Sequence, residues 1–517
     1  MKVAYFGIDA LAECLEYLLA SGHEVIKIFT TDGDDYDRTE RIRALAEEFE
    51  IPVQTTRVKE DELLCLQRAG AALTVTAGYP WKIPVTDALM QVNLHPAYLP
   101  RGRGAWPMPA AILRGEDSGV TLHRLSEKFD EGDILLQTKI PLSSRETLVT
   151  LTKKIQCEAR KLLAEFLENP AEIWQKAKPQ GEGEYWAEPG DIDRTIFPTD
   201  DAASVSRKLR AFAGYGCLYS LHGIPWEAEF SEEKPILKRP YFRPLKLSDS
   251  ALMERIRRKY NPELSDYTFA LLWCWRKQLK LSVCLGEDFF LIKGEGYYFF
   301  PVGAAEHSAE FLRELRKRET ITLRFCGERE KAWISDVFPD AKIEYAEDDC
   351  DYLIENGKLC TLAGGEFAKQ RNAVHHYEAL TPPPVAEPIS PENLAEVAAV
   401  SELCRLSGIE DGEAEREAVK YFFELGLKGI LVRRGDPVAF VIYSEKDDRT
   451  LQGHFIKHIE KKRGGTMCTI QRFTEEVCGN YEFTNIEDDL GDRGLRAFKR
   501  SLKPVIVPSY TIALEQT

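Results

Sequence analysis

Apolar positions follow two rhythms over the first 125 residues. Lys2–Ile8, Glu24–Phe29, Ala71–Thr76 and Gln91–Leu94 are short apolar runs that read as strands. Between them, Leu11, Cys14, Leu15 and Leu18 recur at helical spacing across Ala10–Ala20, and Glu40–Phe49 is helical up to Ile51-Pro52. This β-α-β-α order predicts an α/β, Rossmann-like parallel sheet with helices on both faces. Such sheets bind ligands beyond the carboxyl ends of their strands. The loop after the first strand, Gly7-Ile8-Asp9-Ala10, holds no GxGxxG, and no GxxxxGK[ST] occurs, so neither a dinucleotide site nor a P-loop is expected.

Farther on, Glu146–Leu167 predicts a long helix, and residues 186–245 turn rich in Pro, Gly and aromatics. A helical stretch begins at Ser250–Lys259, and Asp266–Lys280 is aromatic-rich. Thr381-Pro382-Pro383-Pro384 to Pro391 predicts a stiff extended linker. The expected organisation is a catalytic domain at 1–185, a small β-containing appendix at 186–250, and two lobes at 251–380 and 392–517.

Composition narrows the function. The 517 residues carry 68 Lys and Arg against 84 Asp and Glu, a net charge of −16, so no basic surplus favours nucleic acid; DNA is not expected and tRNA is disfavoured. No run of 18 apolar residues predicts a membrane span, and the N-terminus reads as a strand, not a signal peptide. The 12 Cys form no CxxC, which with the absence of HExxH leaves no metal site expected and points to the cytoplasm.

The most informative stretch is Asn93-Leu94-His95-Pro96. Side chains alternate along a strand, so Asn93 and His95 share a face, and Pro96 ends the ladder beyond them. Asp130 follows in the turn Phe129-Asp130-Glu131-Gly132. An amide to meet an oxyanion, an imidazole to handle a proton and a carboxylate to fix its tautomer suit acyl transfer.

Asn93-x-His95-Pro96, Leu99-Pro100, Arg103-Gly104-Ala105, Ser118-Gly119-Val120-Thr121-x-His123 and Asp130-x-Gly132-x-Ile134 together resemble the formyltransferase family that uses 10-formyltetrahydrofolate, from Met1 to about Leu167 and more weakly to about 245. The resemblance implies Asn93, His95 and Asp130 as catalytic. It implies a folate pocket at Ala77, Gly78, Tyr79, Ile83, Pro84 and Phe129, and substrate contacts at Arg103, Gly104, Thr121 and His123. Methionyl-tRNA members carry a basic loop after the second strand, where this chain has the acidic Thr31-Asp32-Gly33-Asp34-Asp35-Tyr36-Asp37. That favours a small-molecule amine acceptor over tRNA.

The second half resembles the C-terminal, tandem acetyltransferase-like (GNAT-like) domain of phosphatidylglycerol lysyltransferases. The matching pieces are Asp266-Tyr267-x-Phe269, Lys369-Gln370-Arg371-Asn372, His458-x-Glu460-Lys461 with Gly464-Gly465, and Asn485-Ile486-Glu487-Asp488-Asp489 leading to Arg496. Arg371, Glu460, Lys461, Asp489 and Arg496 are its candidate cleft residues, and an acyl-CoA or aminoacyl-tRNA its implied donor. The expectation is a formyltransferase fused to an acyl or aminoacyl transferase half. The alternatives are a methionyl-tRNA formyltransferase whose second half is a tRNA-binding accessory, a non-catalytic binding module in the second half, and a formyltetrahydrofolate hydrolase.

Overall fold

Val3, Ala4, Tyr5 and Phe6 are wholly buried, as a strand covered on both faces requires. In the computed structural model, which describes residues 1–517 except 34–37, 232–234 and 408–411, they form β1 (Lys2–Gly7), an interior strand of a seven-stranded sheet. Its other strands are β2 (Glu24–Phe29), β3 (Val53–Gln54), β4 (Leu73–Ala77), β5 (Met90–His95), β7 (Ser118–Arg124) and β8 (Ile134–Ile140); β6 (Arg101–Arg103) stands outside it. The order is β3-β2-β1-β4-β5-β7-β8. The five strands from β3 to β5 are parallel, as the pattern predicts. β7 runs antiparallel to both its neighbours, β5 and β8, and β8 follows it directly through the turn that carries Asp130, without a crossover helix.

Helices α1 (Ala12–Ala20), α2 (Glu40–Glu48), α3 (Glu60–Arg68), α4 (Pro107–Arg114) and α5 (Leu148–Glu168) accompany this sheet. Leu11, Leu15, Leu18, Leu151, Ile155 and Phe166 share one core cluster with Val3, Tyr5 and Val92, while Phe6 stacks on Phe29 in a second. The long helix starts two residues later than the periodicity predicts, at the cap where Thr147 Oγ1 accepts the Thr150 amide.

The chain divides into two compact units, residues 1–220 with 227–237, and residues 221–226 with 238–517. The expected appendix is a four-stranded sheet of Thr195–Ile196, Leu218–Leu221, Ile224–Phe230 and Pro235–Pro240, and the division falls within it. Among the described residues, no helix is long and apolar enough to cross a membrane.

The second unit holds two GNAT-like mixed sheets, and their strand exchange redraws the expected lobes. Strand Tyr510–Leu514, from the end of the chain, lies between Ile321–Cys326 and Lys342–Tyr345 in the first sheet. Strand Asp351–Glu355 lies between Phe483–Asn485 and Val505–Val507 in the second. The boundary at 380–392 therefore separates chain segments, not sheets. The predicted linker is also partly a strand: Val385–Pro388 pairs with Ile430–Arg433 at a sheet edge, where a proline costs no ladder bond.

Candidate functional site

The site of the first unit starts from one register. β5 and β7 pair so that Asn93 faces His123 and His95 faces Thr121. Four polar side chains therefore share one face across two strands. Pro96 ends β5 directly after His95, and the loop between β7 and β8 folds back until Asp130 meets that face.

Asp130 is the hub. Its Oδ2 accepts the Gly104 amide at 2.9 Å, and its Oδ1 accepts Asn93 Nδ2 at 3.2 Å and lies 3.3 Å from His95 Nδ1. His95 Nε2 donates to the Gly102 carbonyl at 2.7 Å, so Nδ1 is the nitrogen turned toward the carboxylate. His123 Nδ1 donates to the Arg124 carbonyl at 2.7 Å, which leaves Nε2 to accept Asn93 Nδ2 at 3.1 Å. Both amide hydrogens of Asn93 are thus engaged, one on His123 and one on Asp130.

His95 and Asp130 are only 5% and 8% exposed. Burial pushes the Asp130 carboxyl up, but the charges of His95 and His123 and the Gly104 amide outweigh it and hold the carboxyl well below the usual carboxylate range. Burial lowers the His95 imidazole, and His123 adds to that; the Asp130 charge and the Gly102 carbonyl oppose them without prevailing. The arrangement keeps an ionised carboxylate against an imidazole whose nitrogens have fixed, different tasks.

Asp130 sits at φ 57°, a left-handed conformation that Asp tolerates better than most residues. Gln180, which the spacing gives no reason to single out, ties this turn down. Its Nε2 donates to the carbonyls of Asp130 (2.9 Å) and Gly132 (2.5 Å), and its Oε1 accepts from the Arg103 guanidinium at 3.0 and 3.2 Å.

The other expected positions divide. Arg103 and Thr121 are buried and committed inside the protein, Arg103 to Gln180 and the Gly181 carbonyl, Thr121 to the Ala97 carbonyl and the Leu99 amide. Gly104 and His123 belong to the Asp130 cluster itself. Of the folate-pocket set, Ala77, Tyr79 and Ile83 are buried, and the last two pack with Phe6 and Phe29; Gly78 is left-handed at φ 79°, Pro84 is half-buried, and Phe129 is 52% exposed. The acidic loop lies partly outside the described residues, from Asp34 through Asp37.

In the second unit the five cleft candidates do not converge. Arg496 grips the buried Asp489 with two bonds of 2.7 and 2.9 Å, and Asp489 also accepts Tyr352 Oη. Glu460 pairs with Arg434 at 3.1 Å, Arg371 donates to the Leu362 and Gly364 carbonyls, and Lys461 is exposed. None of the five lines the cavity of about 510 Å3 in this unit, whose carboxylates include Asp266 and Asp488 instead. Spacing around residue 489 found the right segment but not the inward-facing side chain, because ion pairs hold Asp489 and Arg496 behind the wall.

Residues 1–167 match the family model described as Formyl transferase, and residues 257–513 the model described as Phosphatidylglycerol lysyltransferase, C-terminal. The methionyl-tRNA formyltransferase of Coprothermobacter proteolyticus is 31% identical over 234 residues, covering 43% of this chain and 77% of that protein. That of Anaplasma marginale is 29% identical over 225 residues, covering 41% and 74%. A solved structure from Bacteroides thetaiotaomicron, described as a conserved protein of unknown function, is 23% identical with a TM-score of 0.49, covering 53% of this chain and 98% of that one. The first unit is an enzyme of the formyltransferase class, whose chemistry moves a one-carbon unit from a tetrahydrofolate-type donor to an amine. By these matches the chain belongs to the formyl transferase family, with a GNAT-like, phosphatidylglycerol lysyltransferase-type half following.

Proposed function

We propose that the first unit transfers the formyl group of 10-formyltetrahydrofolate to the amino group of a small acceptor, an amino sugar, amino acid or related amine. The observation that carries this reading is the convergence of Asn93, His95 and the Gly104 amide on one buried carboxylate. The neutral amine attacks the formyl carbon and forms a C–N bond. Asn93 Nδ2 turns from Asp130 to the oxyanion, where a donor in a dry site is worth about 3–4 kcal/mol. The Asp130–His95 pair takes the proton from the attacking nitrogen and returns it to the folate nitrogen as that C–N bond breaks, releasing tetrahydrofolate and the formamide. Phe129, at the rim, and the backbone around Gly78 are the groups assigned to the folate. The test is purified protein with 10-formyltetrahydrofolate and a panel of amino sugars and amino acids, reading tetrahydrofolate release; no release with any of them overturns the proposal.

A second reading, formylation of methionyl-tRNA with the second half as accessory, is favoured by the named activity of the curated relatives. Against it stand the net charge of −16 and the acidic loop. It requires binding of charged tRNA that weakens steeply with salt, and tetrahydrofolate release in that arm alone of the same panel.

A further inference from the structure

The cavity of about 510 Å3 in the second unit has the size of a small-molecule site. Its wall is largely apolar and aromatic, with Trp275, Leu279, Phe299, Phe325 and Phe473 among the lining residues. Its charges do not balance. Each basic side chain that lines it is committed to another protein group. Arg324 holds Asp349 at 2.7 Å, and His454 holds Glu487 and Ser444, each at 2.8 Å. Lys457 pairs with Glu415 at 3.5 Å, and Lys499 donates to the Ile486 carbonyl at 2.5 Å and to the Asp488 carbonyl.

Two lining carboxylates are left over. Asp488 accepts only the Leu490 amide, at 3.1 Å, and Asp266 forms no hydrogen bond or ion pair among the described residues. Behind them Asp351 adds charge of the same sign; its own oxygens are filled by Ser265 and Asn485. Asp351 pushes the proton affinity of both upward, and Asp488 that of Asp266, beyond what burial alone does. The charges of Lys499 near Asp488 and of Arg324 near Asp266 offset part of this, but neither cation hydrogen-bonds or ion-pairs with those carboxylates, so their desolvation stays incompletely compensated.

We propose that this cavity is a binding site for an organic monoamine with an apolar body. The ammonium sits between Asp266 and Asp488, and the body lies against Trp275, Phe299 and Phe325. The ammonium supplies the missing counter-charge, and the aromatic faces favour a cation beside them. The other lining carboxylates, Asp348, Asp349 and Glu487, are already held by Arg496, Arg324 and His454, so a single cationic head is specified.

The experiment uses the full chain and 2-phenylethylamine, with 3-phenylpropanoate as the anionic shape-match and 1,5-diaminopentane as the two-headed amine. Calorimetry should show saturable binding of 2-phenylethylamine and a rise in melting temperature, at least tenfold weaker binding of the other two, and at least tenfold loss in Asp266→Asn. Asp488→Asn provides a second variant should the first not fold. No binding of 2-phenylethylamine at millimolar concentration, equal binding by a folded variant, or preference for the diamine would overturn the proposal. None of these outcomes bears on formyl transfer, which is read separately as tetrahydrofolate release.

Discussion

His95 Nδ1 lies 3.3 Å from Asp130 Oδ1, one group at the end of a parallel strand and the other in a left-handed turn. Replacing Asp130 with Asn keeps the shape but removes the negative charge that opposes the effect of burial on His95. We expect kcat to fall by roughly 100-fold or more, the usual contribution of a positioned acid–base group, with KM little changed. Steady-state release of tetrahydrofolate checks this, and an Asp130→Asn enzyme at full rate would remove the carboxylate from the mechanism.

The same pair sets the pH dependence. Both groups are held below their ordinary ranges in the folded protein, His95 by burial and Asp130 chiefly through His95 against the opposing effect of burial. The base form should therefore persist into mild acid, and the acid limb of kcat should lie below about pH 6.5, the free imidazole value. In Asp130→Asn the charge that raises His95 is gone, so the limb should move lower still. A limb at or above the free imidazole value would contradict the assignment.

Gln180 offers a test of positioning. It touches the carbonyls on both sides of Glu131 and the guanidinium of Arg103, but no reacting atom. Gln180→Ala should lower kcat by about tenfold or more, as small misplacements do, and leave KM for the amine nearly unchanged. Gln180→Glu should do no better, because a carboxylate cannot donate to the two carbonyls. Gly132 limits the same turn: a Cβ there would stand 1.8 Å from the Arg124 carbonyl oxygen, so Gly132→Ala should destabilise by about 1–3 kcal/mol in urea titrations.

The sequence was a good guide wherever local chemistry decides structure. Period-two apolar runs located β1, β2, β4 and β5, and Pro96 marked the strand end that presents His95. Alternation put Asn93 and His95 on one face. What remained hidden depends on long-range pairing. Nothing local says that Tyr510–Leu514 completes a sheet begun near residue 243, or that Asp351–Glu355 leaves its neighbours for the other sheet. Gln180 reaches Asp130 only through the tertiary fold. In Glu487-Asp488-Asp489 three acidic residues look equivalent in sequence, yet the first binds His454, the third binds Arg496, and the middle one faces the cavity.

That middle carboxyl makes stability fall as pH rises. Burial, together with Asp351 and Glu487 and against Lys499, pushes Asp488 up to about 7, whereas in the unfolded chain an aspartate titrates near 4. Between those values the folded state keeps a proton that the unfolded state has released, so each step up in pH costs folding free energy until the folded group ionises as well. The full difference corresponds to about 4 kcal/mol at roughly 1.4 kcal/mol per unit, and water in the cavity reduces it to a part of that. Asp488→Asn removes this dependence. The variant should melt several degrees above the parent at pH 8 and about level with it at pH 4, measured on the full chain by calorimetry. A saturating 2-phenylethylamine arm sharpens the reading: an ammonium beside Asp488 should lower its proton affinity and raise the parent's melting temperature most at pH 8, where the carboxylate is charged. An advantage of the variant that is greater at pH 4 than at pH 8 would show that Asp488 is already paired in the folded protein.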